Sequence, residues 1–374
     1  MKRVLTILVF ASALMLLAAC ATPTPAPTLA PPTAAPTQPP APTQAPQVTK
    51  PPEATKPPAP TATTAPTAAP TAAPTRARTR LSIATGGTAG VYYPYGGGLA
   101  GLISKNVTNT EAAAEATQAS AENMQFISRG KADIAFALAD TVYDAYAGQA
   151  SFKDTGKIPV RALAVLYSNY MHLVATEESG IKTVADLKGK RVSVNTAGSG
   201  TEIIANRIME AAGIDPEKDI QRQRLSIGES VNAMKDKKID ALWWSGGLPT
   251  AGVTDLTSSP GMKVRFIPNA EYIQKMSDKY GPFYFKLPIP KGTYPGQEAD
   301  TDTVGVANLL VVNEKFDASL AYDILKMMVD KKADLALIHA EAKNFGLPQA
   351  TVGSPIPFHA GAIKFYADNK ITVK

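Results

Sequence analysis

From Leu81 onward the chain alternates short apolar runs with helix-patterned stretches, and this alternation constrains the fold more than any other feature. Residues 81–84, 132–137, 160–166, 172–175, 191–194 and 239–244 read as strands. Between them, Ser120 is placed to cap a helix that runs through Arg129 and is closed by Gly130. Residues 201–212 read as another helix, closed by Gly213. A third covers 317–330, with Leu320, Ile324, Met327 and Met328 on one face, where they read as core. Such alternation means an α/β chain with mainly parallel sheets. Residues 81–374 are too many for one small core and suit two domains. Two apolar stretches read as crossings between domains: 160–173, broken by Ser168 and Asn169, and 304–312. A chain that leaves one domain and later returns makes two lobes with a cleft between them.

The first 80 residues are of another kind. Lys2 and Arg3 precede an apolar run over 4–19, which reads as a secretory leader and is too short and wrongly flanked for a membrane span. It ends Leu17-Ala18-Ala19-Cys20, which resembles the bacterial lipobox and implies that Cys20 becomes a lipidated N-terminus. Ala21 follows rather than the Asp that signals inner-membrane retention in such lipoproteins. Residues 21–80 are mostly Pro, Ala and Thr, a composition that cannot bury enough apolar surface to offset chain entropy. They are expected to form a disordered tether, whose roughly 55 residues up to about Thr75 reach at most about 170 Å at ~3.1 Å per residue. Residues 1–80 hold seven basic side chains against Glu53, which accounts for the whole formal charge of +6. The body therefore sums to zero, and the basic balance argues nothing for nucleic acid. Cys20 is the one cysteine, which leaves no intramolecular disulfide and no multi-thiolate metal site.

Three glycine-rich turns stand where strands end. The first is T-G-G-T-A-G-V-Y-Y-P-Y-G-G-G at 85–98, expected as a turn before a helix that begins near Leu99. Such a turn presents backbone N–H groups to an anion. Tyr92 and Tyr93 suit either a grip on a small polar molecule or core packing. The second runs from Asn195 to Thr201, with Ser199 placed to bind an anion or to cap the following helix. The third, Trp243 to Pro249, ends another strand, and its glycines permit close approach of a ligand. Neither a P-loop nor a G-x-G-x-x-G pattern is present.

Catalytic patterns are missing. The chain has three histidines, His172 within a strand, His339 on a late helix and His359 in a loop, with no H-E-x-x-H, no G-x-S-x-G and no metal-ligand spacing. Asp133, Asp140 and Asp144 read as solvated surface acids. The expectation is a binding protein without a cofactor, not an enzyme. A sensing receptor shares the same features, and a tethered surface enzyme is the weaker alternative.

Taken together, the glycine block at 85–98, L-K-G-K-R-V-S-V at 187–194, G-S-G-T-E at 198–202, K-I-D-A at 238–241, G-G-L-P at 246–249, P-K-G-T-Y-P-G at 290–296 and H-A-G-A-I-K-F-Y at 359–366 resemble the TAXI family of solute-binding proteins. These are extracytoplasmic receptors of certain TRAP transporters. The resemblance implies a type II periplasmic-binding fold of two doubly wound lobes, 81–167 with 304–374 and 168–303, around a central cleft. It implies a small anionic or zwitterionic solute, glutamate-like or another organic acid, passed to TRAP permease subunits driven by an ion gradient, on a protein lipid-anchored outside the cytoplasm. Carried over by position, the binding residues are Thr88, Ala89, Tyr92, Tyr93, Asp140, Asn169, Asn195, Thr196, Ser199, Gly200, Thr201, Gly246, Gly247 and Pro249. Two departures stand out. The chain reads Ala137-Leu138-Ala139-Asp140 where the family has V-Q-S-D, and Asn169 where it has a glutamate. A glutamate in a cleft pairs with a ligand ammonium, so Asn169 points to an organic acid with less need of an amino group.

Overall fold

The computed structural model describes residues 77–373. The leader, Cys20 and nearly all of the 21–80 tether lie outside the described residues.

The first half-sheet comes from β1 (Thr79–Ala84), β2 (Thr110–Glu115) and β3 (Ile134–Leu138), which pair in parallel in the order β2-β1-β3. Between and after them run α1 (Tyr92–Asn106), α2 (Ser120–Arg129) and α3 (Ala139–Ala147). All five residues of β3 are buried, as expected for a strand covered on both faces. The long β4 (Val160–Thr176) then leads to the second half. There β5 (Arg191–Ser193), α4 (Gly200–Ala211), β6 (Gln221–Gln223), α5 (Ile227–Lys235), β7 (Ala241–Gly246) and α6 (Ala251–Ser258) build a parallel set ordered β7-β5-β6. Short β8 (Val264–Phe266), α7 (Ile273–Tyr280) and β9 (Tyr284–Ile289) follow. The chain returns along β10 (Thr301–Asn313) and ends with α8 (Ala318–Asp330), α9 (Lys332–Ile338) and α10 (Ala360–Asp368). The class is mixed α/β, as the alternation requires, but the sheet is not mainly parallel as expected, because β4, β8, β9 and β10 pair antiparallel with their neighbours.

β4 and β10 join the halves. They are antiparallel to each other from Val160 to Tyr170, β10 then pairs with β3 on its other side, and β4 pairs with β7 from Tyr170 to Ala175. Ser168 and Asn169 do not break β4 into the two strands expected. Their backbones pair with Ala307 and Val306, which satisfies the strand through the polar step.

Three other expectations change. Helix α1 starts at Tyr92 rather than near Leu99, because Pro94 falls in its first turn, where a missing N–H costs nothing. The glycines at 96 and 98 lie inside that helix and serve close packing: a Cβ on Gly98 would stand 2.2 Å from Ile338 Cδ1. Ser120 opens α2 instead of capping it, and its Oγ accepts from Leu138 N–H at 3.2 Å. Asp140 and Asp144 are fully buried, not surface acids. Arg207 of α4 donates Nη1 to Asp140 at 3.0 Å and Nη2 to Asp144, and Tyr284 of β9 donates to Asp140 at 2.9 Å. The Tyr280 ring lies 4.5 Å from the guanidinium. This group ties α3 to α4 and β9. The methionines of α8 are core, as expected.

All three histidines have structural tasks. His359 caps α10, and His339 accepts from Glu341 N–H at 3.1 Å. His172 Nδ1 faces the carbonyls of Tyr170 and Trp244, so it carries the proton, and Nε2 accepts from the Tyr294 hydroxyl at 3.0 Å.

Two predictions follow from these buried groups. Arg207→Leu leaves two carboxylates without their partner and is expected to lower stability by about 3–5 kcal/mol in urea unfolding; a loss under ~1 kcal/mol contradicts the anchoring role. Burial pulls the His172 imidazole down to about 4 from 6.5. Below 6.5 the unfolded chain takes up a proton that the native state refuses, so stability falls as pH drops towards 4, by up to about 3 kcal/mol. His172→Gln should flatten the stability–pH slope in that window, and an unchanged slope contradicts the assignment.

Candidate ligand-binding site

The carboxyl ends of β1 and β3 face those of β5 and β7, the place where open α/β sheets bind ligands. A cavity lies between them, with about 560 Å³ of space counting the part open to solvent. Helices α1, α2, α4 and α5 all begin at its wall, with Tyr92, Ser120, Gly200 and Ile227 lining it. The first-turn N–H groups of a helix have no partner within it, and each N-terminus carries roughly half a positive charge. Four such ends converge here. No Asp, Glu, Lys, Arg or His is among the described residues that line the cavity. Its apolar surface comes from Val91, Leu138, Ile227 and Trp244.

The turn from Asn195 to Thr201 is held rigidly. Ser199 caps α4, its Oγ accepting from Glu202 N–H at 3.1 Å, while the Glu202 carboxylate takes Gly198 N–H at 2.9 Å. Arg222 and Arg224 donate to that same carboxylate at 2.6 and 2.8 Å. Thr201 Oγ1 accepts from Ser245 N–H at 3.1 Å, which locks α4 to the end of β7. Asn195 sits at φ 73°, a left-handed conformation that Asn tolerates better than most side chains. Its Oδ1 accepts from Thr196 N–H at 2.7 Å and Thr196 Oγ1–H at 3.1 Å.

A polar relay crosses the wall. The Tyr92 hydroxyl donates to Asn308 Oδ1, Asn308 Nδ2 donates to Asn169 Oδ1 at 2.6 Å, and Asn169 Nδ2 donates to Ser245 Oγ at 3.3 Å. It links α1, β10, β4 and β7. Burial holds the Tyr92 phenol well above its ordinary pKa, so it remains a donor.

The two sides touch. A Cβ on Gly200 would meet Leu138 Cδ1 at 2.5 Å and Ser120 Oγ at 2.7 Å, so nothing larger than a hydrogen fits there. Ala121 N–H donates to Gly198 O at 3.1 Å, and Gly252 N–H to Ala89 O at 3.4 Å.

A family model for the NMT1-like family matches residues 83–369, most of the described body. The chain belongs to the NMT1-like family. Similar solved structures include the periplasmic aliphatic sulphonate binding protein of Escherichia coli, at 17% identity over 77% of this chain and 82% of that one, TM-score 0.42. The alkanesulfonate-binding protein of Xanthomonas axonopodis pv. citri, bound to MOPS, matches at 17% identity over 81% and 96%, TM-score 0.41. An ancestral arginine-binding protein bound to arginine matches at 16% identity over 73% and 100%, TM-score 0.44.

In this NMT1-like chain the cavity gathers Tyr92, Asn169, Asn195, Thr196, Ser199, Gly200, Thr201 and Gly246 from the residues expected at the site. Thr88 and Ala89 line an adjoining recess that shares Thr196 and Ser226 with it. Tyr93 is exposed, Pro249 is exposed, and Gly247 packs against Glu341, all away from the cavity wall. Asp140 is also away from it, because Thr141 N–H, Arg207 and Tyr284 take its oxygens. Sequence reading missed Ser120, Ser226 and Tyr167. The period-two rule carries a signal for Tyr167, which shares a strand face with Asn169.

Among the described residues no helix is long and apolar enough to cross a membrane. None of their His, Cys, Asp and Glu side chains form a group of three or more placed to hold a metal ion.

Gly200→Ala drives a methyl into Leu138 and Ser120. We expect about 1–3 kcal/mol of destabilisation by overpacking, with Trp244 emission shifted to the red as the walls part. Unchanged stability and emission would contradict this packing of the cavity walls.

Proposed function

We propose that this chain is an extracytoplasmic receptor that holds a small organic acid or amino acid between two lobes. The lobes are residues 81–167 with 304–374 and residues 168–303. The solute passes to an ion-gradient-driven permease of the TRAP type. Lipid on Cys20 anchors the protein, and residues 21–80 are its tether. The observation that carries this reading is the cavity where four helix N-termini converge between two parallel half-sheets. Such a site binds an anionic group without any basic side chain. Membership of the NMT1-like family and the TAXI-like motifs support the same reading. The solved structures named above are of binding proteins, and this agrees with a receptor role.

Mechanistically, an acid group seats on the N–H groups at the start of α4, with Ser199 and Thr201 beside it. Trp244, Ile227 and Val91 cover the remainder of the solute, and the relay from Tyr92 to Ser245 fixes the wall against which it rests. The reading is capture and release.

The test is native mass spectrometry of the purified body, followed by titration calorimetry with the solute it retains. We expect one small molecule per chain, recovered unchanged after long incubation. Consumption of the solute would make the protein an enzyme, and absence of any binding would remove the receptor reading. Uptake in reconstituted vesicles should persist without ATP and stop when the ion gradient is collapsed.

A further inference from the structure

Six buried side-chain polar atoms lack a hydrogen-bond partner among the described residues, and two of them belong to residues lining the cavity: Asn195 Nδ2 and the Tyr167 hydroxyl. Each residue is 4% exposed. They come from different parts of the fold. Tyr167 lies in β4, opposite Asn308 of β10, and Asn195 follows β5. An unpaired buried donor is costly, so Asn195 Nδ2 calls for an acceptor in the cavity, and the Tyr167 hydroxyl is free to donate to one as well.

The orientation of Asn195 is fixed by its neighbours. Thr196 donates twice to Oδ1, so the NH₂ end is the one left over, and flipping the amide would set donor against donor. The left-handed backbone at Asn195 and the clamped Glu202 hold the turn in place. On the other side, the Tyr167 ring stacks on Tyr95 at 6.2 Å, and burial keeps the phenol protonated. The same cavity offers no carboxylate to a ligand cation. The oxygens of Glu341, a buried acid outside the wall, go to Leu248 N–H and to Asn344. An ammonium group would find no carboxylate in the wall: Glu122, Glu202 and Glu229, in the first turns of α2, α4 and α5, lie outside it and accept from the N–H groups of Gln118, Gly198 and Ser226.

We propose that Asn195 and Tyr167 select the solute by charge type: its bound form is a small organic oxyanion without an ammonium group, held by Asn195 Nδ2 and the Tyr167 hydroxyl. This rests on the receptor reading above and narrows it to acids over amino acids. Asn195 is the discriminating position, because Asn195→Asp keeps the shape and the acceptor towards Thr196 while replacing the donor with a negative charge.

The test is calorimetry with matched pairs that differ only in the amino group: pyruvate against alanine, 2-oxoglutarate against glutamate, phenylpyruvate against phenylalanine. Any solute retained by the purified protein is assayed for a primary amine in parallel. We expect the oxo acid of a binding pair to be at least about 10-fold tighter. Asn195→Asp should weaken it by about 100-fold or more, and Tyr167→Phe by about 3- to 10-fold. Equal or tighter binding of the amino acid, an amine on the retained solute, or unchanged oxo-acid affinity in Asn195→Asp overturns the proposal and leaves the receptor reading standing. No binding by any probe and no retained solute overturns both. The comparison within wild-type pairs decides the matter even if a variant fails to fold.

Discussion

The backbone ladder between β4 and β10 is the constraint on which everything else depends. One continuous strand runs out through the molecule and another runs back beside it, and each half-sheet is attached to this pair by its own parallel strands. Were either strand interrupted, the carboxyl ends of β1, β3, β5 and β7 would have no reason to face one another. The ladder survives its polar middle because Asn169 and Asn308 satisfy each other there, with Tyr92 and Ser245 at the two ends of the relay. A buried network of this kind is stable only when its members are all paired. It also fixes one wall of the cavity.

The second consequence is electrostatic. Parallel strands followed by helices point helix N-termini at the edge where the strands end, and bringing two such edges together gathers their N–H donors at one cavity with no basic side chain in its wall, while Glu122, Glu202 and Glu229 offset part of the dipoles. The charged residues nearby are spent on structure: Glu202 is clamped by Arg222 and Arg224, and Asp140 with Asp144 by Arg207. On the proposed receptor reading, selectivity is left to neutral groups of fixed orientation, which suits discrimination by hydrogen-bond polarity.

Much of this is legible in the sequence where a local rule governs. Helix α2 ends where Gly130 takes a left-handed conformation, and α8 follows from its apolar face. The turn at 195–201 is visible because a strand, glycines and a capping serine occur in order. What is not legible depends on neighbours distant in sequence. Asp140 reads as a surface acid until Arg207, 67 residues away, is placed beside it. The glycines at 96 and 98 read as a turn because their packing partners, Thr85 and Ile338, are supplied by the fold. Tyr167 hides in an apolar run, where only its spacing of two from Asn169 marks it before the cavity wall is assembled.

The central claim is that an acid group of the solute sits on the N-terminus of α4 between two walls that touch. A crystal structure of the protein with its retained solute tests this most directly. The account predicts solute oxygens within hydrogen-bonding distance of the Gly200 and Thr201 N–H groups and of Asn195 Nδ2. A solute bound elsewhere, or one that turns a cationic group towards these donors, would contradict it.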